Sequence, residues 1–295
     1  MKKLTWLMIL PLMAGLSFTA ACGENGDDTP DGGGSDGSTS CLDTAACDAE
    51  CSDTLIAVSG VASVHPVSAA IEPTLTMNNV SMTLEDPVQV LAGRDGTLEK
   101  ADCTSATVTL TANSGAETTA NYAFADVDTS AIALGLVATF DDADIAGASY
   151  EKTTMGLAGG PQTADLTVAT PAFAVATTTE AYFSTQIGQA PGYLRDAGWI
   201  FGMFVTAAGA PIDGVELVDG NGAPYTTGIH YLAVDGTTGA IVGTETDGNT
   251  SPAGIFLVEG APLQEYGGNI AGMTCASQQA ATAAGSVFVV MLVCQ

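Results

Sequence analysis

Catalysis near neutral pH calls on a tuned acid, base or nucleophile, and histidine is the side chain most often recruited. The 295-residue chain has two, His65 and His230, far apart in sequence. His65 precedes Pro66, at a loop or strand edge. His230 sits in IHYLAV, where strand alternation groups it with Leu232 and Val234, the setting of a structural histidine. Carboxylates are abundant, and Asp141-Asp142 or Asp126/Asp128 supply the residue types of a glycosidase pair. Short turn-rich segments give such a pair no cleft. Zinc-protease, phosphate-loop and C-x-x-C motifs are all missing. GGGSDG from Gly32 and GGSDG from Gly33 match the spacings of a dinucleotide loop and a nucleophile elbow, but no strand precedes them and no helix follows. The expectation is a non-enzyme. DGNG at Asp219, DDAD at Asp141 and VDTS at Asp128 put oxygen ligands in turns without EF-hand spacing, so no cofactor is expected, with calcium the one these turns leave open.

Seven cysteines is an odd number. Setting Cys22 aside leaves Cys41, Cys47, Cys51, Cys103, Cys275 and Cys294, an even set that can pair fully in an oxidising compartment. Cys275 and Cys294 flank the last apolar run and are expected to bond. The connectivity of the other four stays open. The spacing of Cys41, Cys47 and Cys51 is not that of a zinc site.

Cys22 is set apart by what precedes it. Met1-Lys2-Lys3, an apolar run from Leu4 to Phe18 and the small residues Thr19-Ala20-Ala21 have the three-part layout of an export signal over residues 1–21. The run is shorter than the ~20 residues a membrane-spanning helix needs, and Pro11 and Gly15 interrupt it. Small residues directly before a cysteine resemble the lipobox of bacterial lipoproteins, with Thr19 where that motif usually has Leu. The resemblance implies cleavage before Cys22, acylation of its thiol, and attachment by lipid, to the outer membrane, facing either the cell surface or the periplasm.

Without Lys2 and Lys3, only Arg94, Lys100, Lys152 and Arg195 oppose 33 acidic residues. Four scattered cations form no track for a phosphate backbone, which excludes nucleic acid as a partner. The high negative charge keeps an exported protein soluble. Residues 22–54 hold the lipidated cysteine, a Gly/Ser/Asp tether and a cysteine cluster. From Gly23 to Ser40 no aliphatic or aromatic side chain occurs, so this stretch buries too little to offset the entropy of ordering.

The body reads as all-β, with two β-sandwich modules, Ig-like or transthyretin-like, over 55–178 and 199–295. In the first, TLTMNNVSMTL from Thr74, SATVTLTA from Ser105, ANYAFADV from Ala120, AIALGLVATF from Ala131 and ADLTVATPAFAV from Ala164 read as strands. The second has WIFGMFV from Trp199, GVELV from Gly214, GIHYLAV from Gly228, GIFLV from Gly254 and SVFVVMLV from Ser286. GAPIDGVELV from Gly209 and TDGNTSPAGIFLV from Thr246 resemble carboxypeptidase regulatory-like modules, also called transthyretin-like. The resemblance covers about residues 200–295 and implies a non-catalytic binding or spacing unit. Between the modules, 179–198 reads as a linker with a short helix, capped by a Thr at 177–179.

Tyr182, Phe183, Tyr193 and Trp199 crowd one short segment with Phe201 and Phe204. Exposed aromatics of this kind stack on sugars or partner proteins, and buried ones form core. The functional expectation is a membrane-anchored, non-catalytic binding module for glycan or protein, with a structural lipoprotein of an envelope assembly as the alternative and a hydrolase behind both.

Overall fold

The computed structural model describes residues 54–91, 94–142 and 149–295. The signal, Cys22, the tether and Cys41, Cys47 and Cys51 lie outside the described residues.

The first half contains β1 (Leu55–Val64), α1 (Pro66–Ile71), β2 (Ser81–Glu85), α2 (Pro87–Leu91), β3 (Thr107–Thr109), β4 (Ala112–Asn113), β5 (Ala116–Asp128), β6 (Gly135–Phe140) and β7 (Lys152–Gly159). There follow β8 (Leu166–Thr167), β9 (Ala172–Ala174), α3 (Thr177–Gln186), α4 (Tyr193–Ala197) and β10 (Trp199–Thr206). The chain ends with β11 (Glu216–Asp219), β12 (Ile229–Val234), β13 (Ile241–Thr244), β14 (Ile255–Glu259), β15 (Gln264–Asn269), β16 (Gln278–Ala280) and β17 (Ser286–Cys294). The fold is all-β. None of the described helices is long and apolar enough to cross a membrane.

A nine-stranded sheet, in the order β13-β12-β14-β10-β17-β7-β6-β2-β3, forms the middle layer. Trp199, Phe201, Met203 and Val205 of β10 point to one core, while Ile200 and Phe204 point to another. β14 and β17 divide in the same way, with Leu257 and Val289 on one side and Phe256 and Leu292 on the other. Strands covered on both faces need apolar residues at every position, which is why WIFGMFV, GIFLV and SVFVVMLV are continuous runs. Gly202 breaks the first of them because the Phe256 ring of the paired strand lies on it: a Cβ there would come within 1.9 Å of that ring.

Two smaller sheets and the helices supply the cover. β1, β4, β5, β8 and β9 form a sheet whose Val58, Tyr122 and Phe124 pack with Met82, Leu84, Leu136 and Phe140 of the middle layer. α3 and α4 close the same side farther along, through Phe183 and Leu194. On the opposite face the sheet β11-β15-β16 covers β10, β14 and β17 through Leu217, Tyr266 and Ala280. The two groups of strands on either side of residues 179–198 share the middle sheet, because β17 pairs in parallel with β7 from Ser286↔Lys152 to Val289↔Met155 and with β10 along its length.

Several local expectations need correction. Residues 74–80 are not strand: Asn79 has φ 63°, and extended structure begins only at Ser81. The helix of the linker begins at Thr177, Ala176 is its N-cap, and no side chain caps it. All three threonine hydroxyls are engaged sideways, Thr177 Oγ1 donating to the Ser149 carbonyl, Thr178 Oγ1 to Glu72 and Thr179 Oγ1 to Ser68. Cys275 and Cys294 are bonded to one another, as expected from their places beside the last strand. Cys103 is also in a disulfide.

Candidate functional site

The aromatic cluster splits between core and surface. Phe183 and Trp199 are fully buried and meet edge to face with centroids 6.1 Å apart, and Trp199 stacks on Phe201 at 5.7 Å and 14°. As binding aromatics they are corrected to core residues, because α3 sets Phe183 against the inward-facing side of β10. Tyr182 is half-buried, and its hydroxyl donates to the Ile241 carbonyl at 2.6 Å. Tyr193 is exposed and donates to Glu259 Oε2 at 2.7 Å. Only the two tyrosines reach the surface, each tied by its hydroxyl, and no stack of exposed rings remains for a sugar.

The histidines are placed for structure. His65 follows β1, caps α1 by accepting from the Val67 N–H at 3.3 Å, and packs on Phe173 and Phe201. Complete burial depresses its pKa to about 3, so the ring is neutral in the fold. His230 Nε2 lies 2.6 Å from Glu259 Oε1, so this carboxylate binds imidazole and phenol together and ties α4 to β12 and β14.

Two buried acids organise the helical corner. Glu180 accepts from Ser184 Oγ at 2.6 Å, from the Gly192 N–H at 2.8 Å and from the Leu194 N–H at 3.0 Å, and so serves the otherwise unpaired start of α4. Glu151 lies 3.6 Å from Arg195 Nη1. Burial raises its pKa to about 7, with Arg195 pulling against that rise.

The calcium-type turns at Asp219 and Asp128 bond their own backbone, and the DDAD turn lies outside the described residues after Asp142. Asp219 Oδ1 accepts the N–H groups of Asn221 and Ala223, Asp128 Oδ1 accepts that of Ser130, and Asp141 pairs with Lys152 at 3.9 Å. Among the described residues no three His, Cys, Asp or Glu side chains converge as a metal site.

The structure instead forms a groove where the outer cover of the middle sheet stops. The sheet β11-β15-β16 packs on β17 and stops there, and among the described residues it does not extend over β6 and β7. Gly135 and Val137 of β6, Thr154, Gly156 and Ala158 of β7, and Ser286 and Phe288 of β17 make the floor. α2 forms one wall through Pro87, Val90 and Leu91, and the segment from Ser277 to Ala281 that contains β16 forms the other. Glycine and alanine leave the floor low, and the cavity is about 580 Å³, within the ~300–1,000 Å³ of ligand pockets. Leu134 and Leu263 stand at its rim, 41% and 51% exposed. Among the described residues no charged side chain lines it. Next to Thr154 of the floor, Thr139 donates to the buried Glu85 carboxylate and lies 3.2 Å from the Thr154 hydroxyl. The sequence marks β6 and β17 as strands but misses β7, because KTTMGLAG lacks the apolar alternation that marks one, and it singles out none of these residues as a site.

No family model matches the chain, and no curated protein matches it. Among solved structures it is similar to a streptococcal ancillary pilin (10% identity, 81% of this chain and 69% of that one, TM-score 0.22). A shaft pilin from Lactobacillus rhamnosus GG matches at 11% identity over 82% of this chain and 98% of that one, TM-score 0.22. The Bacillus anthracis TIE protein matches at 11% identity, 81% of this chain and 34% of that one, TM-score 0.20. Scores this low fix neither a shared strand arrangement nor a function.

Proposed function

We propose that the chain is an exported, lipid-anchored, non-catalytic module that binds a protein partner at the cell envelope through the groove between α2 and β16. The observation that carries this reading is the groove itself: an open, uncharged depression with exposed leucines at its rim, on a molecule of formal charge −27. A concave, mostly apolar cavity with a few polar groups is the usual form of a binding site. A protein is favoured over a glycan because Phe183 and Trp199 belong to the core. Anchoring rests on the signal layout and the lipobox-like residues before Cys22, and the carboxypeptidase regulatory-like resemblance of the last hundred or so residues supports a non-catalytic role.

The test combines a Cys22→Ala variant with protease shaving of intact cells against a periplasmic control protein. The wild type is expected in the membrane fraction and Cys22→Ala in the soluble exported fraction. Membrane retention of Cys22→Ala would overturn the anchor. Loss of the body to protease places the groove outside the cell, and protection places its partner in the periplasm.

A further inference from the structure

β16 is the last strand of its sheet. β15 pairs with it on one side, from Gln264↔Ala280 to Tyr266↔Gln278, and among the described residues no strand pairs with it on the other. The segment that carries this edge is a wall of the groove, and Gln278 reaches down onto the floor, where its Nε2 would lie 2.9 Å from a Cβ at Gly156. The groove thus offers a row of backbone donors and acceptors beside a low apolar floor. Extended backbone satisfies such an edge, and alternate side chains of an added strand fill the pockets beneath it. The three residues of β16, at ~3.4 Å each, offer about 10 Å of strand edge.

Charge selects the occupant. The lining is uncharged among the described residues, but the exposed Glu265 stands opposite Gln279 behind one wall, in a chain of −27. A second copy would bring the same charge and be repelled. We infer that β16 is a docking edge for an extended segment of a different protein, apolar or uncharged in its middle and basic at its flanks, which adds a fourth strand to the sheet β11-β15-β16. This rests on the groove being the binding site proposed above.

The test selects phage-displayed nine-residue random peptides on the full mature chain with its disulfides intact, counter-selected against Gly159→Trp. Gly159 is exposed and has open space where a Cβ would sit, so the indole fills the groove with little disturbance. Leu134→Arg, at the exposed rim, is a second variant that sets a positive charge against a basic peptide. The expected binders have Lys or Arg at their ends and no Pro in the middle. They weaken about tenfold or more on either variant, and by as much when N-methyl groups block the amides of one peptide edge but not of the other. They also slow amide exchange at those of Gln278, Gln279 and Ala280 whose N–H groups point away from β15. Groove-dependent peptides that tolerate methylation of both edges, or leave that exchange unchanged, would overturn strand pairing while preserving the groove as a binding site. Acid-flanked binders, self-association of the chain through this face, or no groove-dependent peptide would each overturn the inference, and the broader reading would then stand or fall on crosslinking in cells.

Discussion

The side-chain amide of Gln278 rests on the bare backbone of Gly156, and this contact sets edge strand β16 over the floor strand β7. The nearest atom to a Cβ at 156 is the mobile end of a side chain, whereas at Gly202 it is the ring of Phe256, fixed in the core. Gly156→Ala is therefore expected to change unfolding free energy by less than about 1 kcal/mol, and Gly202→Ala to cost about 3 kcal/mol. Denaturant titration of both variants checks this, and equal costs would mean that Gln278 is as constrained as Phe256.

His65 gives stability a pH dependence of one sign. Its folded pKa, about 3, lies below the unfolded value of 6.5, so the unfolded chain binds more protons between the two. This contribution to stability is complete above pH 6.5 and is lost as pH falls toward 3. His65→Asn keeps an N-capping side chain but removes the titration. It is expected to cost about 1–2 kcal/mol at pH 7 through the lost ring and to flatten the decline in Tm between pH 6.5 and 4.

Glu151 acts with the opposite sign. Its folded pKa, about 7, is above the ordinary 4.5, so the folded state binds more protons in that window and this group destabilises the fold as pH rises through it. Glu151→Gln is expected to raise stability at pH 8 by an amount on the order of 3 kcal/mol and to change it little at pH 4. A loss of stability at pH 8 would show that the pairing with Arg195 outweighs the burial of the carboxylate.

The Cys275–Cys294 bond closes a loop with a sequence separation of 19. Chain-entropy reasoning gives about 3 kcal/mol for a loop of that size. The paired variant Cys275→Ala with Cys294→Ala is expected to lose about that much in chemical denaturation. It is also expected to loosen the approach to β16, read as faster amide exchange from Ala276 to Gln278.

The parts of the fold legible in the sequence were those where burial dictates composition. β10, β14 and β17 are covered on both faces and appear as unbroken apolar runs, and the two cysteines beside β17 pair as their positions suggested. β1 and β7 were not legible. LIAVSGVASV and KTTMGLAG mix small and polar residues, in β7 because one face is the groove floor, where bulk would fill the cavity. The groove was hidden for the same reason, since its shape comes from missing side chains and from a sheet that stops, neither of which has a motif. The aromatic cluster was visible, but adjacency in sequence does not tell which way rings face. Only the meeting of α3 with β10 sends Phe183 and Trp199 inward and leaves Tyr193 outside.

The most direct measurement is photocrosslinking in cells, with benzoylphenylalanine replacing Leu134 at the groove rim and, separately, Val242, an exposed residue on β13 outside the groove. A discrete adduct with one envelope protein from position 134, and none from 242, is the expected result. Adducts from 242 alone, or none from 134 with the anchored protein present at its normal level, would contradict the claim that the groove is where this chain meets its partner.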